Sequence, residues 1–383
     1  MYKNDLYLKS IKNVIAESGS SSPFAYNNYI LTQAGFINKT IISIFNILSP
    51  LIYLLNILAS FLFFICKFFV CSLNRFFKKK SLFIQENTLY LFFTGQFRSK
   101  VIASNLYLES RVWVIGGLID YSSFDLSDKI VVDCRDNLTV WDYIKVLCHS
   151  MNTLLGYLIK ERTIFTIYKI WNFYECSIAL RKISHNKEIV FSNQLDRWAL
   201  LFDDLPASKK TLLQHGLMPI NVPNKLKNVD VMYSMTKETW KDALINVLDC
   251  TPEIKYMSST IKLSEINTDK PSILIIAHIL HFEVEKKIIR NLQKYEADIY
   301  VKKHPGVNND RCYYDLQKEY GFTYLTEPIF PKVNFLISYN STLVYEYQNF
   351  GIPFYKYENV DDFSMNILEE ALMKNNIKLK KLA

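Results

Sequence analysis

The sequence predicts an α/β protein with two doubly wound parallel sheets in series. From residue 88 onwards, short apolar runs of about four to six residues alternate with helical patterns, as in sheets whose parallel strands are joined by crossover helices. A polar, irregular stretch at 251–271 interrupts this alternation, which restarts at residue 272. The 383 residues also exceed one ordinary hydrophobic core, which favours two domains.

The first repeat of the pattern, residues 88–250, is predicted to be a Rossmann-like domain. Its long aromatic helical stretch runs from about residue 140 to 183, and Thr236 is expected to be the N-cap of a helix over 236–248. The expected strands are residues 88–93, 111–117, 129–136, 188–193, 211–216 and 230–235.

The second repeat, residues 272–383, is predicted to be another Rossmann-like domain. An amphipathic helix is expected over 282–295, and Gly321 and Gly351 are expected to end the two helices that follow. Two such sheets would face a ligand cleft at the carboxyl ends of their strands, with 251–271 as the linker and hinge. The expected strands are residues 272–278, 298–304, 333–339 and 353–357.

Residues 1–87 are predicted to be an N-terminal extension with a membrane-associated hydrophobic segment. Residues 41–71 read "IISIFNILSPLIYLLNILASFLFFICKFFVC", which exceeds the roughly 20 residues needed to cross a bilayer. Five basic residues at 67–80 follow the apolar core, so the positive-inside rule places the bulk of the protein in the cytoplasm. Because Pro50 interrupts the segment, a spanning helix, a monotopic helix, a bent hairpin and a pair of buried core helices all remain open.

The composition excludes several classes of protein. A net charge of +8 is compatible with an anionic membrane or a phosphorylated ligand, but no stripe of basic residues with interleaved aromatics indicates nucleic-acid binding. The seven cysteines are scattered and form no CxxC, which argues against a disulfide scaffold and a zinc site. Motifs such as GxGxxG, GxxxxGK[ST], GxSxG and HExxH are missing.

The stretch "IYVKKHPGVN" places basic residues directly after an apolar strand. His304 is expected at the carboxyl edge of the second sheet, and Gly306 lets the backbone approach a ligand closely. Lys302 and Lys303 alternate faces, so at most one of them faces that ligand. A departing phosphate needs positive charge and a proton donor, and these residue types supply both. The alternative is an exposed, capped turn.

The next strand leads into a helix that Asn340 or Ser341 is expected to cap. The hydroxyls of Ser341 and Thr342, with the backbone N–H groups of a helix start, predict a phosphate site, although plain N-capping explains the same residues. Glu346, about one turn further, is a candidate for a ribose or sugar hydroxyl. His278, at the end of the first strand of this half, is a further donor-binding candidate.

The first half carries candidates for acceptor chemistry after three of its strands. His215 is the first candidate for the base that deprotonates an acceptor hydroxyl, and Asp196 is the second. Gln96, Arg98 and Arg197 are candidates for acceptor binding.

"KKHPG" followed by "SYNSTLVYEYQNFGIPFY" resembles the HP motif and the later Ser/Thr motif of GT-B-fold bacterial surface-polysaccharide transferases. The pattern is similar to that of CDP-glycerol glycerophosphotransferases and of HP-motif sialyltransferases, and it covers about residues 188–357. The resemblance implies a GT-B-like fold with nucleotide-phosphate contacts at His304, Ser341 and Thr342. At 338–340 the chain reads Ser-Tyr-Asn where the glycerophosphotransferases have an aspartate, and the acidic motif of the sialyltransferases is absent.

Together these features predict a transferase at the cytoplasmic face of the bacterial plasma membrane. It would move a sugar, or a related polyol-phosphate unit, from a nucleotide-activated donor to a glycan or lipid-linked acceptor. No cofactor or obligatory metal is expected, because Asp203 and Asp204 lack the DxD spacing. The alternatives are a nucleotide-sugar 2-epimerase and a non-catalytic membrane-bound scaffold of a polysaccharide assembly complex.

Overall fold

The chain forms two compact units in a computed structural model. The first domain comprises residues 1–30 and 38–258, and the second domain comprises residues 31–37 and 259–383. The structure describes residues 6–17, 27, 30–31, 39–77, 84, 86–94, 97–107, 112–116, 129–160, 169–193, 196–214, 216, 221–236, 239–277, 281–303, 311–326, 329–339, 341–357, 365–377 and 379–381.

The first domain is built on a seven-stranded, fully parallel sheet. Its strands are β1 Thr88–Phe92, β2 Val112–Ile115, β3 Ile130–Asp133, β4 Glu188–Phe191, β5 Lys209–Leu213, β6 Val231–Ser234 and β7 Glu253–Tyr256. The strand order is β3-β2-β1-β4-β5-β6-β7, and the first six strands follow the Rossmann order.

Helices cover both faces of this sheet, so its central strands are apolar on both sides. Along β1, Leu89 and Leu91 pack in the larger core cluster, whereas Tyr90 and Phe92 pack on the opposite face with Trp113. The helices are α1 Leu6–Glu17, α2 Lys39–Phe77, α3 Phe97–Ala103, α4 Val140–Lys160, α5 Ile170–Ile183, α6 Arg197–Asp203 and α7 Thr239–Asn246, with a 3-10 turn at Cys134–Asn137.

The second domain repeats the same topology with five parallel strands. The strands are β8 Ser272–Ile276, β9 Asp298–Lys302, β10 Thr323–Leu325, β11 Phe335–Ser338 and β12 Phe354–Lys356, in the order β10-β9-β8-β11-β12. The helices are α8 Phe282–Leu292, α9 Arg311–Tyr320, α10 Leu343–Gln348 and α11 Met365–Lys374. The predicted pair of doubly wound sheets is therefore confirmed.

Four elements were not anticipated by the sequence pattern. β7 lies inside the predicted linker, and its residues are mostly exposed because it is the edge strand of the first sheet. α1 lies in the predicted N-terminal extension, for which no helix was expected before residue 41, yet Tyr7 and Ile11 are buried in the core of the first domain. β10 is a short edge strand of three residues, and α11 packs Leu368 and Leu372 against the second sheet.

α2 is one continuous helix of 39 residues that runs through Pro50 without a break. Its part from Ile47 to Phe77 is long and apolar enough to cross a membrane, with a mean hydropathy of 2.3 over an 18-residue window. Only 17% of the residues in that window are buried within the protein, and the helix is continuous, so it is not a pair of core helices. The sequence prediction of one apolar N-terminal element is confirmed.

A buried carboxylate ties three elements of the second domain together. Glu285 in α8 is fully buried, and it accepts hydrogen bonds from the hydroxyls of Tyr313 in α9, at 2.5 Å, and of Tyr357 after β12, at 3.3 Å. Burial and the neighbouring carboxylate raise the pKa of both phenols far above the ordinary value, so both remain donors. This network fixes α8 and α9 on one face of the sheet.

Replacing Tyr313 by Phe should destabilise the second domain by about 1–3 kcal/mol, because the buried Glu285 carboxylate loses its 2.5 Å hydrogen bond from Tyr313. Tyr314→Phe on the exposed side of α9 is the matched control. All five tryptophans lie in the first domain, so amide hydrogen exchange of peptides from 272–325 is the measurement and tryptophan emission is the internal reference. Equal protection in the two variants would contradict a role for this network.

Candidate functional site

The carboxyl edge of the second sheet is set by a single row of paired residues. Strand pairing aligns Leu325, Lys302, Ile276, Ser338 and Lys356 across all five strands. Adjacent strands are about 4.8 Å apart, so the backbones at Lys302 and Ser338, on either side of β8, are about 10 Å apart. The segments that continue from these three strands therefore start at the same edge of the sheet.

Five of the sequence-predicted site residues lie outside the described residues: Gln96, His215, His278, His304 and Gly306. The sequence nevertheless ties two of them to this edge. His278 is the second residue after the end of β8, and His304 is the second residue after the end of β9. Their roles stay predictions.

The strand order of the second sheet reverses between β8 and β11, which is where doubly wound sheets open a ligand crevice. The helices that follow β8 and β11 pack on opposite faces of the sheet. Val284 of α8 packs on one face of the sheet, whereas Val344 of α10 packs on the other. At this reversal the rings of His281 and Tyr339 are in contact, with centroids 3.8 Å apart and planes tilted by 32°. Burial lowers the pKa of His281, so its imidazole is mainly neutral at pH 7.

The two lysines at the end of β9 have different surroundings. Lys302 is only 6% exposed, and its ammonium lies 4.9 Å from the centroid of the Phe330 ring. Burial lowers the pKa of Lys302, while the ring face offsets part of the cost of its charge. Lys303 is half-buried, and its backbone N–H donates to the carbonyl of Leu325 at 2.9 Å. Lys303 is thus the more accessible of the two candidates.

The Ser341 and Thr342 pair precedes α10, and the N-cap residue is Thr342 instead of the expected Asn340 or Ser341. The Ser341 Oγ accepts a weak hydrogen bond of 3.3 Å from the backbone N–H of Leu343. Thr342 is the N-cap residue by backbone position and makes no side-chain capping bond. Its carbonyl accepts from the backbone N–H of Tyr345 at 3.1 Å. Ser341 is the third residue after the end of β11, so the pair lies in the segment that continues from the carboxyl end of that strand.

Glu346 is held by protein groups instead of facing solvent. Its carboxylate accepts from the Ser259 hydroxyl at 2.7 Å, the Thr260 backbone N–H at 2.8 Å and the Thr260 hydroxyl at 2.6 Å. The side chain is buried, and these donors belong to the first residues of the long second-domain segment. Glu346 therefore holds residues 259 and 260 in place, a structural role that the sequence did not indicate. Contact between Glu346 and a nucleotide-activated substrate stays a prediction.

The first sheet also gathers polar groups at its carboxyl edge. Where its strand order reverses between β1 and β4, the hydroxyls of Thr94 and Ser192 lie 2.9 Å apart in a hydrogen bond. These two residues follow β1 and β4, and neither was singled out from the sequence. The only signal was a hydroxyl after each of two neighbouring apolar strands.

Gln214 organises the turn that follows β5. Fully buried, its amide oxygen accepts from the Ser234 hydroxyl at 2.8 Å, the Met235 backbone N–H at 2.9 Å and the Thr239 hydroxyl at 2.9 Å. Its amide nitrogen donates to the carbonyl of Gly216 at 3.1 Å. The Gln214 side chain therefore holds the chain in place on both sides of position 215.

The remaining first-domain candidates make local contacts. Asp196 caps α6, accepting from the backbone N–H groups of Trp198 at 3.0 Å and Ala199 at 3.1 Å, and it also accepts from the Asn193 amide at 2.9 Å. The guanidinium of Arg197 lies 4.7 Å from the Trp198 ring, and that of Arg98 lies 5.7 Å from the Tyr107 ring. Catalysis by Asp196 and acceptor binding by the two arginines stay predictions.

No group of three or more metal-ligating side chains occurs among the residues that the structure describes. The two acidic neighbours considered from the sequence have other partners. Asp203 accepts from the backbone N–H groups of Lys227 and Asn228 at 2.9 and 2.7 Å, and Asp204 forms an ion pair with Arg181.

No protein-family model matches the sequence, and no curated protein matches it. Among solved structures, the chain is similar to a variant of the wall teichoic acid polymerase TagF soaked with CDPG, at 8% identity and a TM-score of 0.38. That likeness covers 79% of this chain and 78% of the TagF chain. The assignment of two Rossmann-like sheets rests on the strand order itself.

Replacing Glu346 by Gln should lower the stability of the second domain by about 1–3 kcal/mol, because an amide nitrogen would then face one of the three donors. The matched control is Glu370→Gln on the exposed face of α11. Faster amide exchange in peptides around 259–264 is the expected result. If exchange is unchanged but nucleotide affinity falls, Glu346 acts on the ligand and not on this segment.

The stability of the chain should decline as the pH falls below about 6.5, the ordinary pKa of histidine. Because the pKa of folded His281 lies below that value, the unfolded chain binds more protons there, and unfolding becomes easier. Urea unfolding followed by circular dichroism at pH values of about 7.5 and 5.5 measures this. His281→Phe, which keeps a ring against Tyr339, should reduce the difference, whereas His185→Phe in an exposed turn should not.

Proposed function

We propose that this protein is a membrane-associated glycosyltransferase of the GT-B type. It transfers a sugar, or a related polyol-phosphate unit, from a nucleotide-activated donor to a membrane-proximal glycan or lipid-linked acceptor at a bacterial surface. The observation that carries the proposal is the shared row of Lys302, Ile276 and Ser338. From that row the chain continues into His304, His278 and the Ser341–Thr342 pair.

The second domain is assigned to the donor because these residue types suit a phosphate leaving group. As the bond between the transferred unit and the nucleotide phosphate breaks, its electron pair goes to the phosphate oxygen. His304 and an adjacent lysine, Lys303 before the more buried Lys302, offset that negative charge. The hydroxyls of Ser341 and Thr342 donate to the other phosphate oxygens. Gly306 and His278 complete the donor site in this proposal.

The first domain is assigned to the acceptor because it holds α2, the element that brings a membrane-proximal acceptor within reach. A base takes the proton of the acceptor hydroxyl while its oxygen forms the new bond. His215 is the first choice, since Gln214 fixes the residues on either side of it. Asp196 is the second choice, because it already accepts three hydrogen bonds. Gln96, Arg98 and Arg197 are assigned to acceptor binding.

The His304→Ala variant of the full chain tests the donor site. Thermal shift with a panel of nucleotides and nucleotide sugars should identify a ligand for the wild-type protein. His304→Ala should lower the transfer rate by about 100-fold or more, as for loss of a general acid or an electrostatic contact. His185→Ala, an exposed histidine of the first domain, is the matched control and should transfer normally.

The same assay separates the proposal from its rivals. Retained transfer by His304→Ala would reject the role of that residue. Full conversion of a nucleotide sugar without any acceptor would indicate an epimerase. A wild-type chain that binds no nucleotide and no nucleotide sugar would indicate a scaffold.

A further inference from the structure

We infer that α2 lies in the plane of an anionic bilayer surface as an interfacial anchor and does not cross the bilayer. This inference concerns how the first domain meets a membrane, and it does not depend on the transfer reaction. The contacts of α2, the position of α1 and the charge around α2 each support it.

One stripe of α2 is part of the core of the first domain. The stripe comprises Tyr53, Ile57, Ser60, Phe64, Phe68 and Cys71, spaced three or four residues apart on one helical face. The Phe64 ring lies 5.9 Å from the Trp171 ring, and the Cys71 thiol lies 3.8 Å from the Glu175 carboxylate. α2 therefore packs on a polar, folded domain over five turns, and this part of it cannot be surrounded by lipid.

The part of α2 that precedes the stripe is too short to cross alone. Residues 39–52 form a helix about 21 Å long, whereas the hydrocarbon core of a bilayer is about 30 Å thick. A spanning arrangement would have to include the stripe and pull its partners in α5 into hydrocarbon.

The chain on both sides of α2 also belongs to the same domain. Before α2, the ring of Tyr7 in α1 lies 5.0 Å from that of Phe173, and Asn13 exchanges hydrogen bonds of 2.7 and 3.0 Å with the backbone of Asn224. After α2, the chain enters β1 of the same core. A single crossing would place α1 and β1 on opposite sides of the membrane, which these contacts forbid.

The face opposite the stripe is apolar along its whole length. Leu51, Leu55, Leu58, Leu62, Phe69 and Leu73 are each more than half exposed to solvent. Lys67 and Arg75 are the charged residues of α2 between Ile47 and Phe77, and both are half-buried on the domain side. Such a face fits the boundary between headgroups and acyl chains.

Charge favours lipid over a second copy of the chain as the occupant. Lys78, Lys79 and Lys80 follow α2 directly in the sequence, and the net charge is +8. Anionic lipid headgroups attract such a cluster of lysines next to an apolar helix face. A dimer formed through the same face would instead bring the positive charges of two chains together.

Vesicle flotation of the full chain tests whether the exposed apolar face of α2 binds lipid. The wild-type protein should bind phosphatidylcholine vesicles more strongly when they contain phosphatidylglycerol. Leu55→Glu combined with Leu62→Glu should lower vesicle binding by about tenfold or more, since two apolar contacts with lipid are lost. Ile245→Glu, an equally exposed apolar position on α7, is the matched control and should bind as wild type.

The path of the chain is tested independently with tags at both termini. In sealed inside-out and right-side-out membrane vesicles, a protease should remove both tags from the same preparation and spare both in the other. Removal of one tag in each preparation would show a crossing and overturn the inference. The inference would also be overturned if the wild-type chain does not bind vesicles but forms a dimer that the double variant cannot form. The exposed apolar face of α2 would then be the contact surface for a second copy of the chain.

Discussion

The parallel pairing of β8 with β9 on one side and β11 on the other is the constraint on which the candidate donor site depends. These strands are buried on both faces, so their register is fixed by the packing of alternate side chains. Register then determines which residues end at the same level. Because Lys302, Ile276 and Ser338 share a row, three separate segments of chain are delivered to one edge.

Buried polar side chains in both domains hold turns and chain segments near the candidate site residues. Gln214 engages three donors and one carbonyl around the turn after β5, and Glu346 engages three donors at residues 259 and 260. Asp196 similarly fixes the start of α6. A buried acceptor with several donors is costly to disturb, which keeps such turns in one conformation. Preorganised turns are what a transfer site requires.

α2 packs in the core of the first domain and also exposes a second apolar face. Its inner stripe contributes Ile57 and Phe64 to the largest apolar cluster, while its outer face exposes leucine and phenylalanine along the same helix. A helix with two apolar faces is stable in water only if one of them finds another apolar phase. The first domain covers the inner face, and a bilayer surface is the phase that we propose for the outer face.

The sequence by itself determined the two doubly wound sheets, the apolar helix and the strand-end location of Lys302 and Ser341, because strand and helix periodicities are local properties. Only the tertiary structure decided that Glu346 binds the Ser259 and Thr260 hydroxyls and the Thr260 backbone N–H, and that α1 joins the core. Hydrogen-bond partners far apart in the chain leave no periodic trace. The edge strand β7 was not predicted because its residues are mostly exposed, so its sequence lacks the apolar pattern of a central strand.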